Sequence, residues 1–457
     1  MIGSVGGSVS RPSKPQKFLE DMTYEEVAKE LKLASGLTNL GNTCYMSSTL
    51  QCLNSIKELT SALNHNQIDP NNSSTEIKLT NSLRDLFNTM NKKSGTVMPM
   101  AFLVNLRQIN PGFNEIDRQS GIHKQQDAEE CWNSILSSLS IGLKAPDLPR
   151  NFVDSYLSGE LVTTYQCDEN PEEPPTISTE SFRKLDCRID KSVNYLQQGL
   201  NMSLVQKISK HSPSLGRDAE YTATSRIGRL PKYLAINFLR FFWKAKENID
   251  AKIVKKVKFP FELDMTEYLT PELSSKLKPA REYLNKRRDV IESDRKRMRM
   301  ELVAENNRLA GVDSKASSSA ANSSNAAATT STIDEEPSSS SQALQKPTLD
   351  PSIVTDIGCN PSGMYELIAV LTHIGRNVNS GHYIAWVKKE SDENFDSLGS
   401  GVSSSFNMES SNRDSNLWYK FDDDRVSIVD ASEIQKLDGG GDWHTAYITL
   451  YRAKSLD

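Results

Sequence analysis

Cys44, His382 and Asp422 lie far apart in the chain, and in that order they are the parts of a thiol hydrolase. Cys44 stands in GLTNLGNTCYMSSTLQCL, between a loop-forming stretch and a run in which Met46, Leu50, Leu53 and Ile56 recur at helical spacing. A helix N-terminus and a neighbouring imidazole each favour the thiolate, the form of a cysteine that attacks. Taken alone, such a cysteine reads as one more small core residue. The histidines decide between the two.

Six are available, at 65, 123, 211, 373, 382 and 444. His65 and His211 lie in polar, loop-like surroundings without an organised acid. His382, in NSGHYIAWVKK, follows a glycine-containing turn at the mouth of a β-type run, and NLWYKFDDDRVSIV reads as the returning strand. Antiparallel pairing of 383–389 with 417–421 would bring Asp422 back beside His382. A carboxylate there fixes the imidazole tautomer and stabilises the imidazolium. The intervening 391–416 would sit at the far end of the hairpin, where loop length costs little. Acyl transfer also needs donors for an oxyanion. Asn39 and Asn42, five and two residues before Cys44, are candidates beside the Cys44 backbone N–H.

The elements that must hold these residues divide along the chain. DMTYEEVAKELKL (21–33) has caps, early acids and helical spacing, and a second amphipathic helix is expected over 127–139, with Cys131, Ile135 and Leu139 on a face beside Trp132 and Leu136. Strand signals come later: YLAINFLRFF (233–242), YELIAVLTHI, HYIAWVKK and AYITLYRA. Helices early and strands late predict an α+β protein. Residues 1–17 read as a flexible leader, 276–309 as a charged helical insertion, and 314–345 as a disordered low-complexity insertion. The basic cluster within 276–309 also matches a nuclear-localisation pattern.

Composition sets the outer limits. The 457 residues carry a formal charge of −5, which makes no case for nucleic acid. No apolar run approaches the ~18 residues that span a bilayer, and the first residues lack a secretory core. The cysteines (44, 52, 131, 167, 187, 359) form no C-x-x-C pair, which favours reduced thiols in cytosol or nucleus.

The motifs together resemble the ubiquitin-specific proteases. GLTNLGNTCYMSSTLQCL is similar to their cysteine box, YELIAVLTHIGRNVNSGHYIAWVKK with WYKFDDDRVSIV to their histidine box, QQDAEECW to the box between, and AYITLYRA to their closing strand. The resemblance implies a papain-like fold with thumb, palm and fingers, a catalytic domain over 18–455, and hydrolysis of the isopeptide bond after ubiquitin's last glycine. It makes Cys44 the nucleophile, His382 general base then acid, Asp422 its orienting partner and Asn39 the oxyanion donor, with no metal or other cofactor in the chemistry. Gln126, Asp127 and Tyr383 would contact the ubiquitin tail. FLEDMTYEEVAKELKLASGLTNLGNTCYM and LDGGGDWHTAYITLYRA are closest to members that dock on the 26S proteasome, implying that particle as a partner of a monomeric enzyme. In those members two loops cover the tail cleft. Here they would be FFWKAKENIDAK, with Phe241, Phe242 and Trp243, and GRNVNSG, with Asn377, Val378, Asn379 and Ser380.

Two departures temper this. YQCDEN and LDCRID retain only Cys167 and Cys187 where many relatives have two C-x-x-C pairs, two thiols short of a structural zinc site, so none is expected. The short leader also leaves no room for the ubiquitin-like docking domain of the proteasome-bound members, which makes docking less secure than hydrolysis. Plainer readings stand beside the sharp ones. Cys52 and Cys131 read as packing residues, His373 as a loop anchor, His444 as a locally packed side chain and Asp127 as a helix cap. Asp423 is a solvated acid or an electrostatic aid to the site. A ubiquitin receptor without catalysis, or a protease of a ubiquitin-like modifier, is the alternative function.

Overall fold

The computed structural model describes residues 22–23, 26–27, 33–66, 74–118, 121–145, 147–244, 249–310, 345–377, 380–390, 416–441 and 443–456. The leader, nearly all of 314–345, most of the expected 21–33 helix and 391–415 lie outside them.

The first third of the described chain is helical: α1 (Cys44–Asn54), α2 (Lys57–His65), α3 (Thr75–Lys92), α4 (Met100–Ile109), α5 (Ala128–Gly142) and α6 (Phe152–Tyr156). A short parallel pair, β1 (Gly36–Leu37) and β2 (Thr96–Val97), ties the segment before α1 to the start of α4. Ser74, Asp127 and Asn151 cap α3, α5 and α6 through side-chain oxygens that accept backbone N–H groups.

α1 departs from the one-faced helix expected from Met46, Leu50, Leu53 and Ile56. Every residue from Cys44 to Leu53 is buried, so the helix runs through the core rather than along its edge. Most of its buried polar side chains find backbone carbonyls, Ser47 Oγ being the one left without a partner. Ser48 Oγ donates to the Cys44 carbonyl at 2.8 Å, Thr49 Oγ1 to that of Tyr45 at 2.8 Å, and Gln51 Nε2 to that of Ser35 at 2.8 Å.

Apart from one small hairpin, the remaining described strands form two large sheets. A four-stranded antiparallel sheet, in the order β4-β3-β7-β6, comprises β3 (Gly159–Cys167), β4 (Thr176–Phe182), β6 (Val205–Ser212) and β7 (Arg217–Arg229). The central sheet comprises β5 (Leu185–Cys187), β8 (Tyr233–Phe238), β11 (Glu262–Asp264), β12 (Met364–Asn377), β13 (Ser380–Lys388), β14 (Leu417–Asp422), β15 (Arg425–Asp430) and β16 (Thr445–Ala453). Its order is β15-β14-β13-β12-β16-β8-β5, with β11 pairing β12. Side chains alternate across it as a pleat requires. Tyr383, Ala385 and Val387 join the core shared with the early helices, while Ile384 and Trp386 face a second core on the other side. That second core also takes Leu196 and Leu200 of α7 (Leu196–Leu204) and Leu273 and Leu277 of α8 (Pro271–Ala310). Beyond Ala280 the long α8 leaves the body, and Val290, Ile291, Met300 and Leu302 are exposed.

One expectation needs correcting. The run 233–242 is not one strand: β8 ends at Phe238, and Phe241 begins β9 (Phe241–Lys244), which pairs only with β10 (Ile249–Lys252). The break is held by Arg240, a fully buried guanidinium bonded to the carbonyls of Ala446, Ile253, Lys255 and Asp438. A charged residue inside an apolar run here marks a corner. Cys167 and Cys187 lie in different cores. Cys167 packs with Tyr221 and Ala219 in the four-stranded sheet, and Cys187 sits in β5 of the central sheet.

Candidate active site

The thiol, the imidazole and the carboxylate converge at the seam between the early helices and the central sheet. Cys44 opens α1, whose N-cap, Thr43, makes no side-chain cap because its hydroxyl accepts from Leu40 N, so the sulfur sits at the positive end of the helix. β13 pairs antiparallel with β14 in the expected register, Ala385 opposite Phe421 and Lys388 opposite Trp418. That pairing returns Asp422 to His382, with Nε2 2.7 Å from Asp422 Oδ1. That bond leaves the ring's other nitrogen for the Cys44 sulfur, which favours the charged imidazole. The bond to Asp422 and the nearby Cys44 raise the imidazole to about 10, and the bond to His382 holds the Asp422 carboxyl below its ordinary value. Lys420 Nζ, 3.7 Å from Asp422 Oδ2, steadies the carboxylate further.

Two N–H donors also reach the sulfur. Gln125 Nε2 lies 2.9 Å from Cys44 Sγ and 3.2 Å from the Gly381 carbonyl, and the Tyr383 backbone N–H lies 3.4 Å from Sγ. Neighbouring Gln126 turns elsewhere and donates to the Gly112 carbonyl at 3.0 Å. Of the QQ pair, the glutamine at the sulfur is therefore Gln125, a contact the sequence does not single out; Gln126 is the one expected at the ubiquitin tail. Two adjacent residues ahead of a helix cap point in different directions, and nothing in their types says which one faces in.

The loop before Cys44 is tied to the turn after Asp422. Asn39 Nδ2 donates to Asp423 Oδ2 at 2.8 Å, and Asn39 Oδ1 accepts from Gly41 N and Thr43 N at 3.0 and 3.3 Å. Asn42 instead donates to the His123 carbonyl at 2.9 Å. Among the described residues the two non-glycines in the left-handed region are Asn42 and Asp423, both at φ 53° and both flanking this cleft. β1 abuts the same turn. Leu37 N donates to the Asp423 carbonyl at 2.9 Å, and a Cβ on Gly36 would lie 2.4 Å from the Asp424 carbonyl oxygen. Asp423 is thus not a solvated acid, and burial raises its carboxyl.

On the other side of Cys44, Asp127 caps α5 by accepting from Glu129 N at 2.7 Å. The Tyr447 hydroxyl donates to both of its carboxylate oxygens at 2.8 Å, and burial pushes the carboxyl up to about 6. Tyr447, Tyr383, His373 and Phe241 form a continuous aromatic cluster, with His373 4.7 Å from Tyr383 and 5.2 Å from Phe241 between ring centroids. His373 is fully buried and burial drives it down to about 3, so it stays a neutral packing ring. A Cβ on Gly381 would lie 2.7 Å from its Nε2. His444 lies behind the sheet, 3.4 Å from Thr372 Oγ1, and burial lowers it to about 4. Cys52 and Cys131 are buried, and burial drives both thiols far up. His65 ends α2, and His211 lies on β6 across from Asp218, 3.6 Å away, a strand position and not a loop.

Phe241 belongs to this site through its ring contacts, and Phe242 beside it is exposed. Asn377 and Ser380 pair across the end of β12 and β13. Val378, Asn379 and the Trp243 side chain lie outside the described residues.

Among the described residues, His382, Asp422 and Asp423 offer ligand atoms within 4.8 Å of one another, but Asp422 is bonded to His382 and Asp423 to Asn39. In the four-stranded sheet a lone thiol, Cys167, stands near Glu173, whose carboxylate accepts from the hydroxyls of Ser212, Ser214 and Tyr221.

A thiol at a helix N-terminus, an imidazole carried on a sheet and an acid behind it define a cysteine hydrolase of the papain-like class. Comparison narrows the class. Residues 35–451 match the family model described as ubiquitin carboxyl-terminal hydrolase. The chain is 39% identical to ubiquitin carboxyl-terminal hydrolase 6 of Schizosaccharomyces pombe, across 100% of this chain and 85% of that protein. It is 37% identical to ubiquitin carboxyl-terminal hydrolase 6 of Arabidopsis thaliana (99% and 85%) and 30% identical to ubiquitin carboxyl-terminal hydrolase 14 of Caenorhabditis elegans (100% and 80%). The chain belongs to the ubiquitin carboxyl-terminal hydrolase family and is a cysteine-type deubiquitinating hydrolase of α+β, papain-like fold.

Proposed function

We propose that this hydrolase cleaves the isopeptide bond after the C-terminal glycine of ubiquitin on conjugated proteins, working as a monomer in cytoplasm and nucleus, and that it acts at the 26S proteasome to recycle ubiquitin. The observation that carries the chemistry is the His382–Asp422 bond at 2.7 Å, next to a Cys44 sulfur that accepts from Gln125 Nε2 and the Tyr383 N–H. The Cys44 thiolate attacks the glycine carbonyl carbon, and the resulting oxyanion takes the Cys44 backbone N–H and the second N–H of Asn39 Nδ2, whose first is held by Asp423. His382 gives its proton to the departing lysine amine as the C–N bond breaks, leaving a thioester. Water then loses a proton to His382 and attacks that thioester, releasing the carboxylate and the thiol.

Asp127, Tyr383 and Gln126 would line the tail cleft, and the β9–β10 hairpin and the 375–381 turn would gate it. The ring contacts that join Phe241 of the hairpin to Tyr447 and Tyr383, with the Tyr447 hydroxyl bonded to Asp127, support this reading. The test is labelling by ubiquitin bearing a thiol-reactive group at its C-terminus, with and without proteasomes, in wild type and Cys44→Ala. An adduct that needs Cys44 and grows with proteasomes is expected. Strong labelling without proteasomes would remove the gate, and no labelling would turn the reading toward a ubiquitin receptor or another modifier.

A further inference from the structure

Among the described residues, the amide of Gln125 is the side-chain group that hydrogen-bonds the sulfur. Its orientation follows from its other partner. The Gly381 carbonyl can only accept, so the group facing it at 3.2 Å must be the NH2, and its second N–H then points at Cys44 Sγ, 2.9 Å away. The sulfur is therefore the acceptor. A thiolate accepts a hydrogen bond far better than a thiol, so this contact strengthens when the proton leaves.

The amide is also held where it can act. Gln125 is 6% exposed, directly precedes the Gln126–Asp127 entry to α5, and joins α1 to the turn that carries His382. Asn39, by contrast, has an amide N–H committed to Asp423 and none on the sulfur.

We propose that Gln125 is a further catalytic residue, whose side-chain N–H stabilises the Cys44 thiolate and holds the sulfur in line with His382. This rests on reading Cys44 as the nucleophile. As His382 takes the thiol proton, the Gln125 N–H meets the new negative charge. When sulfur bonds to carbon and that charge moves to the oxyanion, the bond weakens and the sulfur is released into the thioester. No proton is transferred by Gln125 at any step.

The test uses a small reagent that needs no ubiquitin. Iodoacetamide alkylation of the Cys44 peptide, followed by mass spectrometry from pH 5 to 10, is compared in wild type, Gln125→Ala and the near-isosteric Gln125→Glu. The proposal expects Gln125→Ala to alkylate about tenfold more slowly at pH 6, in line with a lost hydrogen bond to an ionised group, and to converge with wild type near pH 10. Gln125→Glu, which cannot donate and adds a like charge, should shift further. A rate loss equal at every pH, or a profile that does not move in Gln125→Glu, would reduce Gln125 to packing and overturn the proposal. Failure of the nucleophile reading looks different: wild-type Cys44 would then react no faster at pH 7 than the half-buried Cys359.

Discussion

His382 Nε2 and Asp422 Oδ1 lie 2.7 Å apart because β13 and β14 pair in one register, although 40 residues separate the two in sequence. The bond occupies one ring nitrogen and leaves the other to Cys44. Replacing either end should therefore lower turnover. His382→Ala should lower kcat by about 10²–10⁴-fold, the usual worth of general acid–base catalysis. Asp422→Asn keeps an acceptor but loses the charge that stabilises the imidazolium, so its loss should be smaller than that of Asp422→Ala. Steady-state hydrolysis of a ubiquitin C-terminal amide, with KM followed beside kcat, measures both.

The same pair gives stability a pH window. The folded imidazole is raised to about 10 from an ordinary value near 6.5, so its contribution is full below about 6.5 and is lost as pH climbs through about 10. The Asp422 carboxyl is lowered, so its contribution is present above about 4 and lost as pH falls through its folded value. The melting-temperature advantage of wild type over Asp422→Asn should be greatest near pH 6 and gone above pH 10. An advantage that persists above pH 10 would mean the pair is held by something other than charge.

Asp127 separates a cap from a substrate contact. Asparagine caps helices as well as aspartate, so Asp127→Asn should keep α5 intact. Because burial raises the Asp127 carboxyl to about 6, the wild type loses stability as pH rises from about 4 to about 6, a cost the amide does not carry. Asp127→Asn should thus melt at or above wild type at pH 7, while KM for ubiquitin substrates rises about tenfold through loss of a charged contact with the basic tail. Unchanged KM would leave Asp127 as a cap alone.

Arg240 holds the corner from which the Phe241 hairpin projects. Its fork meets four backbone carbonyls in the absence of solvent, a geometry that a lysine ammonium cannot reproduce. Arg240→Lys should cost about 2–4 kcal/mol in urea unfolding, since buried acceptors are left unmet. The loosened hairpin should alter KM more than kcat, as Phe241 packs on Tyr447 and His373 and does not touch Cys44's partners.

Much of this site could be read before any coordinates. The spacing of Met46, Leu50 and Leu53 placed a helix at Cys44, and the alternation in HYIAWVKK and LWYKFD allowed one hairpin register that joins His382 to Asp422. Local periodicity carries such information because both facts concern neighbours along one element. It carries none about the far side of that element. That α1 would be buried all round, that Arg240 would turn a corner inside an apolar run, and that Cys167 and Cys187 would part into separate cores depended on what packed against them. The choice between Gln125 and Gln126 is the sharpest case. Identical side chains one residue apart differ only in direction, and direction was set by where the Gly381 carbonyl and the Cys44 sulfur came to lie once helix and sheet had closed.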